Sequence, residues 1–308
     1  MNKKYIVVGG SAYADIDVLA CIAAYTQLLT LKDYQAQGII TGPWNQTIPR
    51  SVRQWPTEIV HHFLPTDESC QFILVDVSDP KFLEKFVKIE NVIEVYDHHY
   101  GHEAFWKEQL PNSAFIEHVG ACATLIWERF KKEGVQNSIS TINANLLYTA
   151  IFANTLNFKS LVTTDRDLIA CEELLKHIDL PIDWKATYYA EVAEEFNKNL
   201  SVHIHKDTKL IHLNGMPIHF GQIEIWNAYP ILNKFESKFI PKSNEEWLIN
   251  IASIEEGVSY FYTNSERLQK IIAQITEAKE INGFLQVAQR LWLRKEILRE
   301  FLALPTRQ

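Results

Sequence analysis

The chain has 308 residues, 47% of them apolar and 22% charged, with a formal net charge of -8 and a sequence pI near 5.8. That composition excludes extended disorder, and the length exceeds what one core usually needs, so two domains are expected. The acidic balance argues against a protein that grips long nucleic acid, and leaves small anions met by a local basic pocket or a metal ion.

The opening MNKKYIVVGG is basic, then apolar. However, Asp15 and Asp17 interrupt the apolar stretch and no eighteen-residue apolar run follows, so a cytoplasmic protein without a membrane span is expected. Residues 5–8 read as a buried strand and 18–31 as a helix apolar on most faces. Residues 72–75 and 92–95 are again short apolar strands, with a helical pattern over 82–87 between them. Strands alternating with helices predict an α/β domain with a mostly parallel sheet covered on both sides. Three helices follow over 121–132, 142–156 and 164–177, the last opening with Thr164 and Asp167 at capping-box spacing.

The polar, helical stretch after Pro181 is read as the connection between domains. The period-two pattern VHIHKDTKLIHLNGMPIHFGQIEIW from Val202 predicts a hairpin turning at Asn214-Gly215. A strand pair over 247–262, a helix over 266–275 and an apolar-basic end complete a smaller α+β domain. The limits are 1–185 for the first domain, 186–200 for the linker and 201–308 for the second. The four cysteines, Cys21, Cys70, Cys122 and Cys171, form no CxxC pair, so neither disulfides nor cysteine zinc sites are expected.

Four polar clusters are read as falling immediately after, or at the end of, buried strands of the first domain: Asp15-Ile16-Asp17, Asp76, Asp97-His98-His99, and a point near Asn154. The carboxyl ends of parallel strands converge on one crevice, where gathered carboxylates repel one another unless cations neutralise them. Taken singly, Asp15 also suits a helix N-cap, Asp76 and Asp79 suit a strand-end turn, and one His beside an Asp suits a surface pair. Together they form a mixed oxygen and nitrogen donor set that suits manganese, cobalt or magnesium better than structural zinc. His203 and His205 read as neighbours on a half-exposed strand face, and His61-His62 and His118 as ordinary surface residues. His102 lies within reach of the triplet.

In these motifs the sequence resembles the DHH phosphoesterases. The resemblance rests on Asp15-Ile16-Asp17 opening a helix, Asp76 after a strand, the Asp97-His98-His99 triplet, and Gly120-Ala-Cys-Ala-Thr124 opening another helix. IFANTLNFKSLVTTDRD, from Ile151 to Asp167, is similar to a segment of family II inorganic pyrophosphatases. The GGGH signature of the oligonucleotide-degrading branch is absent.

The resemblance implies a manganese-dependent phosphoanhydride hydrolase acting on pyrophosphate or short polyphosphate. Two divalent ions (Mn2+ first, Co2+ or Mg2+ next) would be held by Asp15, Asp17, Asp76, His98 and Asn154. Asp97 and His99 would be catalytic, and Lys209, Arg294, Lys295 and Ser11 would meet substrate phosphate. The family's pyrophosphatases carry His at the position of Ser11, whereas exopolyphosphatase and prune-like relatives do not. At Asn154 the family has a ligating Asp. Two alternatives follow: a small-nucleotide phosphodiesterase, or a catalytically weakened relative that binds phosphate-rich ligands or a partner. The expected partner is a small phosphate-containing substrate, with no long nucleic acid and no membrane, and a homodimer is compatible with the sequence.

Overall fold

Short runs of β-branched and aromatic residues form the first sheet. In the computed structural model, residues 4–61, 70–198, 200–213, 215–233, 235, 245–281 and 285–303 are described. They divide into two compact units, residues 1–158 with 162–185, and residues 159–161 with 186–308. Among the described residues no helix is long and apolar enough to cross a membrane.

The first unit runs β1 (Lys4–Val8), α1 (Ile16–Leu31), β2 (Ala36–Ile39), α2 (Arg50–Arg53), β3 (Ile59–Val60), β4 (Cys70–Val75), β5 (Val92–Asp97), α3 (Glu103–Gln109), β6 (Ala114–Ile116), α4 (Cys122–Lys132), α5 (Thr141–Asn154) and α6 (Asp165–Leu174). Its strands lie in the order β3-β2-β1-β4-β5-β6, and every pairing is parallel. Strand order reverses direction between β1 and β4, the place where open α/β sheets bind ligands. Ile6 to Val8 and Phe72 to Val75 are buried without alternation, as expected of strands covered on both faces.

α1 is buried from Ile16 through Tyr25 and packs against α5 and α4. Trp106 of α3 closes a second apolar cluster with Val8, Phe72, Leu74 and Val95. The helix expected over 82–87 is absent. Pro80–Phe82 makes a single 3-10 turn capped by Asp79, and Leu83 turns extended. Leu83, Phe86 and Val87 instead pack individually against the sheet cluster, so burial overrides local helical pattern there.

α7 (Trp184–Lys198) begins in the first unit and continues in the second, with Tyr188, Tyr189, Val192 and Phe196 buried. Then come α8 (Leu200–Asp207), β7 (Lys209–Leu213), β8 (Met216–Ile225), α9 (Tyr229–Leu232), β9 (Glu246–Ser253), β10 (Val258–Thr263), α10 (Glu266–Thr276), β11 (Lys279–Ile281), β12 (Leu285–Ala288) and α11 (Arg294–Ala303). The sheet order is β11-β12-β10-β9-β8-β7. The β8–β9 pairing is parallel and the others are antiparallel.

The β7–β8 hairpin turns through Gly215, whose φ of 80° favours glycine; Asn214 lies outside the described residues, as does His62. The strand expected to carry His203 and His205 is helix α8 instead. An alternation this short does not outweigh burial of Ile204 and Leu200 in a helical register. His203 stacks near Phe196 and His205 near Trp247, so the two rings do not share a face.

Candidate metal centre

Each side chain of the first three clusters is set by a strand end or a helix start. Asp76 follows β4 with a φ of 57°, and its backbone N–H bonds Tyr96 O at 2.8 Å. The left-handed turn, uncommon outside glycine and Asn or Asp, ends the strand there. Asp97 is the last residue of β5 and is fully buried. Its Oδ1 accepts from the backbone N–H of His98 and of His99, and bonds His99 Nδ1 at 2.8 Å. Asp15 caps α1, its Oδ1 accepting from the N–H of Asp17 and of Val18, so the capping role and the motif role fall on one carboxyl.

Asp17 is buried and faces the start of α4. Its Oδ2 accepts from Cys122 N at 2.8 Å and its Oδ1 from Ala123 N at 2.9 Å. Partial positive charge at a helix N-terminus suits an anion. Even so, burial, then Asp76, raises the Asp17 carboxyl to about 7, with His98 acting the other way. For Asp97 burial also acts upward, but the charges and hydrogen bond of His99 and His98 outweigh it and hold the carboxyl below its ordinary value.

His98 joins these groups. Its Nδ1 lies 3.1 Å from Val119 O, which can only accept, so Nδ1 carries the proton. Its Nε2 then faces Asp76 Oδ1 at 3.3 Å and Asp17 Oδ2 at 3.8 Å. One donor atom from each of Asp76, His98 and His99 lies within 4.8 Å of the others. Oxygen and imidazole-nitrogen donors converging without a basic side chain among them fit a divalent cation of the manganese, cobalt or magnesium type. An imidazole oriented by a backbone carbonyl is the usual second-sphere arrangement of a ligating histidine.

The other expected residues are placed differently. Ser11 donates to Phe82 O through both N (2.8 Å) and Oγ (3.0 Å). Asn154 ends α5 and its Nδ2 donates to Ala150 O at 3.2 Å, so its hydrogen bonding turns to its own helix and not to the cluster. Leu156, Asn157 and Phe158 follow it, all left-handed. His102 Nε2 lies 3.5 Å from Asp79 Oδ2, and His118 stacks on Tyr100.

In the second unit Arg294 is engaged by Asp207. Its Nη1 donates to Asp207 Oδ2 at 3.1 Å and to the carbonyls of Asp207 and Phe220. Lys209 is held below the ordinary lysine value by desolvation and by Arg294. Glu224 is raised to about 7 by burial, then by Asp207, with Gln222, Arg294 and Lys295 opposing.

Sequence reasoning did not assign the carbonyl of Val119 or the amides of Cys122 and Ala123. Backbone atoms leave no residue signature, and only the Gly120-to-Thr124 motif marked the segment.

No family model matches the chain. In sequence it is 22% identical over 266 residues to a "Probable manganese-dependent inorganic pyrophosphatase" of Listeria welshimeri, covering 83% of this chain and 80% of that protein. It is 26% identical over 231 residues to one of the same description from Lactobacillus helveticus, covering 73% and 71%. Its fold superposes on a "putative family II inorganic pyrophosphatase" of Methanococcus jannaschii with a TM-score of 0.65 at 21% identity, over 97% and 98% of the two chains.

The chain resembles the pyrophosphatase/exopolyphosphatase branch of the DHH phosphoesterases. Its fold also superposes on an exopolyphosphatase-related protein of Bacteroides fragilis with a TM-score of 0.52 at 14% identity, over 98% and 91% of the two chains. The parallel first sheet and the separate, smaller mixed sheet match the fold of the Methanococcus jannaschii structure.

Proposed function

We propose that the protein hydrolyses phosphoanhydrides, pyrophosphate or short polyphosphate, at a divalent-metal centre built on Asp17, Asp76 and His98. The observation that carries this reading is the orientation of His98. Val119 O fixes its Nδ1, and its Nε2 faces two buried carboxylates at 3.3 and 3.8 Å. The names of the sequence relatives, manganese-dependent inorganic pyrophosphatases, support both the metal and the substrate class.

Asp15 would add its second oxygen and Asn154 its amide oxygen to the ligand set. Two bound cations, manganese foremost, would supply a water activated for attack and neutralise charge on the phosphates. Asp97 accepts the Nδ1–H of His99 and would stabilise the ring in its protonated form, whose Nε2–H would bond a phosphoryl oxygen as charge develops on it. Lys209 and Lys295, with Arg294 already engaged by Asp207, are proposed to bind substrate phosphate. Ser11, held on Phe82, would at most touch substrate.

The test is elemental analysis of the protein loaded with Mn2+, run beside orthophosphate release from pyrophosphate, tripolyphosphate and a cyclic dinucleotide. Metal-dependent release from the two anhydrides is expected, with tripolyphosphate cleaved at least as fast as pyrophosphate, because Ser11 offers no imidazole ligand. Cleavage of the dinucleotide alone would replace this reading by a small-nucleotide phosphodiesterase. Metal binding with no turnover would replace it by a phosphate-binding relative.

A further inference from the structure

The segment 119–123 touches both of the buried ligands. Val119 O holds His98 Nδ1, and the amides of Cys122 and Ala123 hold the two oxygens of Asp17. If this segment shifts, both ligands shift with it. Its position therefore depends on what anchors it, and the anchor is a side chain from a distant part of the chain.

Asp167, on the first turn of α6, is fully buried. Its Oδ2 accepts from Gly120 N at 2.9 Å and from both N and Oγ1 of Thr164 at 2.8 Å. Its Oδ1 accepts from Thr124 Oγ1 at 2.6 Å. Two of these four donors belong to the ligand-holding segment and its helix, and two to the cap of α6. A carboxylate with four donors and no solvent is a rigid clamp, because each lost bond strands a buried polar group.

Gly120 shows how closely the parts are fitted. A Cβ there would lie 2.4 Å from Thr155 Cγ2 and 3.0 Å from Asp167 Oδ2. Thr155 is itself fixed, its Oγ1 donating to Ile151 O at 2.7 Å. Thr155 and Asp167 thus close in on the ligand-holding segment at Gly120.

We propose that Asp167 is a positioning residue of the metal centre, acting through Gly120 and Thr124 to set His98 and Asp17 for a cation they would otherwise hold loosely. This rests on the metal-centre reading above. It also gives the TTDRD end of the segment a part distinct from that of Asn154: Asp167 orients ligands and does not supply one.

The experiment compares Asp167→Ala with Thr164→Val. The first removes the carboxylate and with it all four bonds, and so releases the 119–124 segment. The second weakens the same helix cap without touching that segment. Three readouts are taken: thermal stability, Mn2+ affinity by calorimetry, and the 15N shifts of the His98 ring in metal-free protein.

Both variants are expected to melt earlier. Only Asp167→Ala should lose Mn2+ affinity, by about ten- to hundredfold, and lose the single Nδ1–H signature of His98. Equal Mn2+ affinity and equal His98 shifts in the two variants would overturn the proposal. If Asp167→Ala does not fold, Thr124→Val removes one bond of the clamp, and the same two readouts decide at smaller amplitude. If wild-type protein binds no Mn2+, the metal-centre reading fails, and the His98 shifts alone still decide whether Asp167 positions the ring.

Discussion

Val119 O and His98 Nδ1 lie 3.1 Å apart, and this contact between a loop carbonyl and a ring nitrogen turns the other nitrogen toward Asp76 and Asp17. Without it the ring could flip or change tautomer, and the buried carboxylates would face a proton donor instead of a bare ring nitrogen.

Asp76 is the residue whose loss should cost the most metal. Asparagine is the informative replacement, because it tolerates the left-handed φ of 57° that alanine would resist. Asp76→Asn should fold with a melting temperature near wild type, yet retain less than about a tenth of the bound metal and of the phosphate release. Elemental analysis of the purified variant checks this, and an unchanged metal content would remove Asp76 from the centre.

The buried Asp17 predicts how metal and pH interact. Its folded carboxyl sits near 7 against an ordinary 3.8, so the folded metal-free protein holds a proton that the unfolded chain has released. That contribution to stability is present in full below about pH 4 and is lost as pH rises through about 7. A cation that replaces the proton should reverse the loss. Millimolar Mn2+ should therefore raise the melting temperature more at pH 8 than at pH 5.5, the rise at pH 8 being equivalent to about 3 kcal/mol if metal is then present at a hundred times its Kd. Melting curves at the two pH values, with and without Mn2+, give the answer, and a larger rise at pH 5.5 would contradict it.

Asn154→Asp separates ligation from helix chemistry. The substitution removes the Nδ2 bond to Ala150 O and puts a negative charge at the C-terminus of α5, which should cost about 0.5–1 kcal/mol in metal-free protein. If Asn154 offers its oxygen to a cation, the new carboxylate should tighten Mn2+ several-fold and raise activity at limiting manganese. Calorimetric titration beside metal-free melting distinguishes the two effects. Lower stability with unchanged affinity would place residue 154 outside the ligand set.

Lys209 and Arg294 should behave unlike each other. Arg294 donates to the carboxylate and carbonyl of Asp207 and to Phe220 O, so Arg294→Ala should destabilise the second unit by about 1–3 kcal/mol. Lys209 opens the edge strand with much of its surface in solvent, while partial burial of its ammonium and the nearby Arg294 lower its proton affinity. Lys209→Ala should change stability by less than about 0.5 kcal/mol while raising KM for tripolyphosphate several-fold. Denaturant melts and steady-state kinetics on both variants test this, and an unchanged KM for Lys209→Ala would remove it from phosphate binding.

The strand ends and helix starts that carry the candidate site are readable from local pattern alone. Apolar runs of four to six residues place Asp76 and Asp97 at strand ends, and a capping residue at a helix start places Asp15 and Asp17. These are local features: a carboxylate after a buried strand is legible because the residues that bury the strand adjoin it. The second sheet's hairpin at Gly215 was legible for the same reason.

Which groups meet depends on contacts between distant parts of the chain. The pairing of His98 with Val119 spans 21 positions, and that of Asp17 with Cys122 spans 105; in each, one partner is a backbone atom common to every residue. The engagement of Arg294 by Asp207 across 87 positions and the helical, not extended, backbone of His203 and His205 were hidden likewise. Helix α8 and residues 82–87 answer to burial against partners far along the chain, which a pattern a few residues long does not encode.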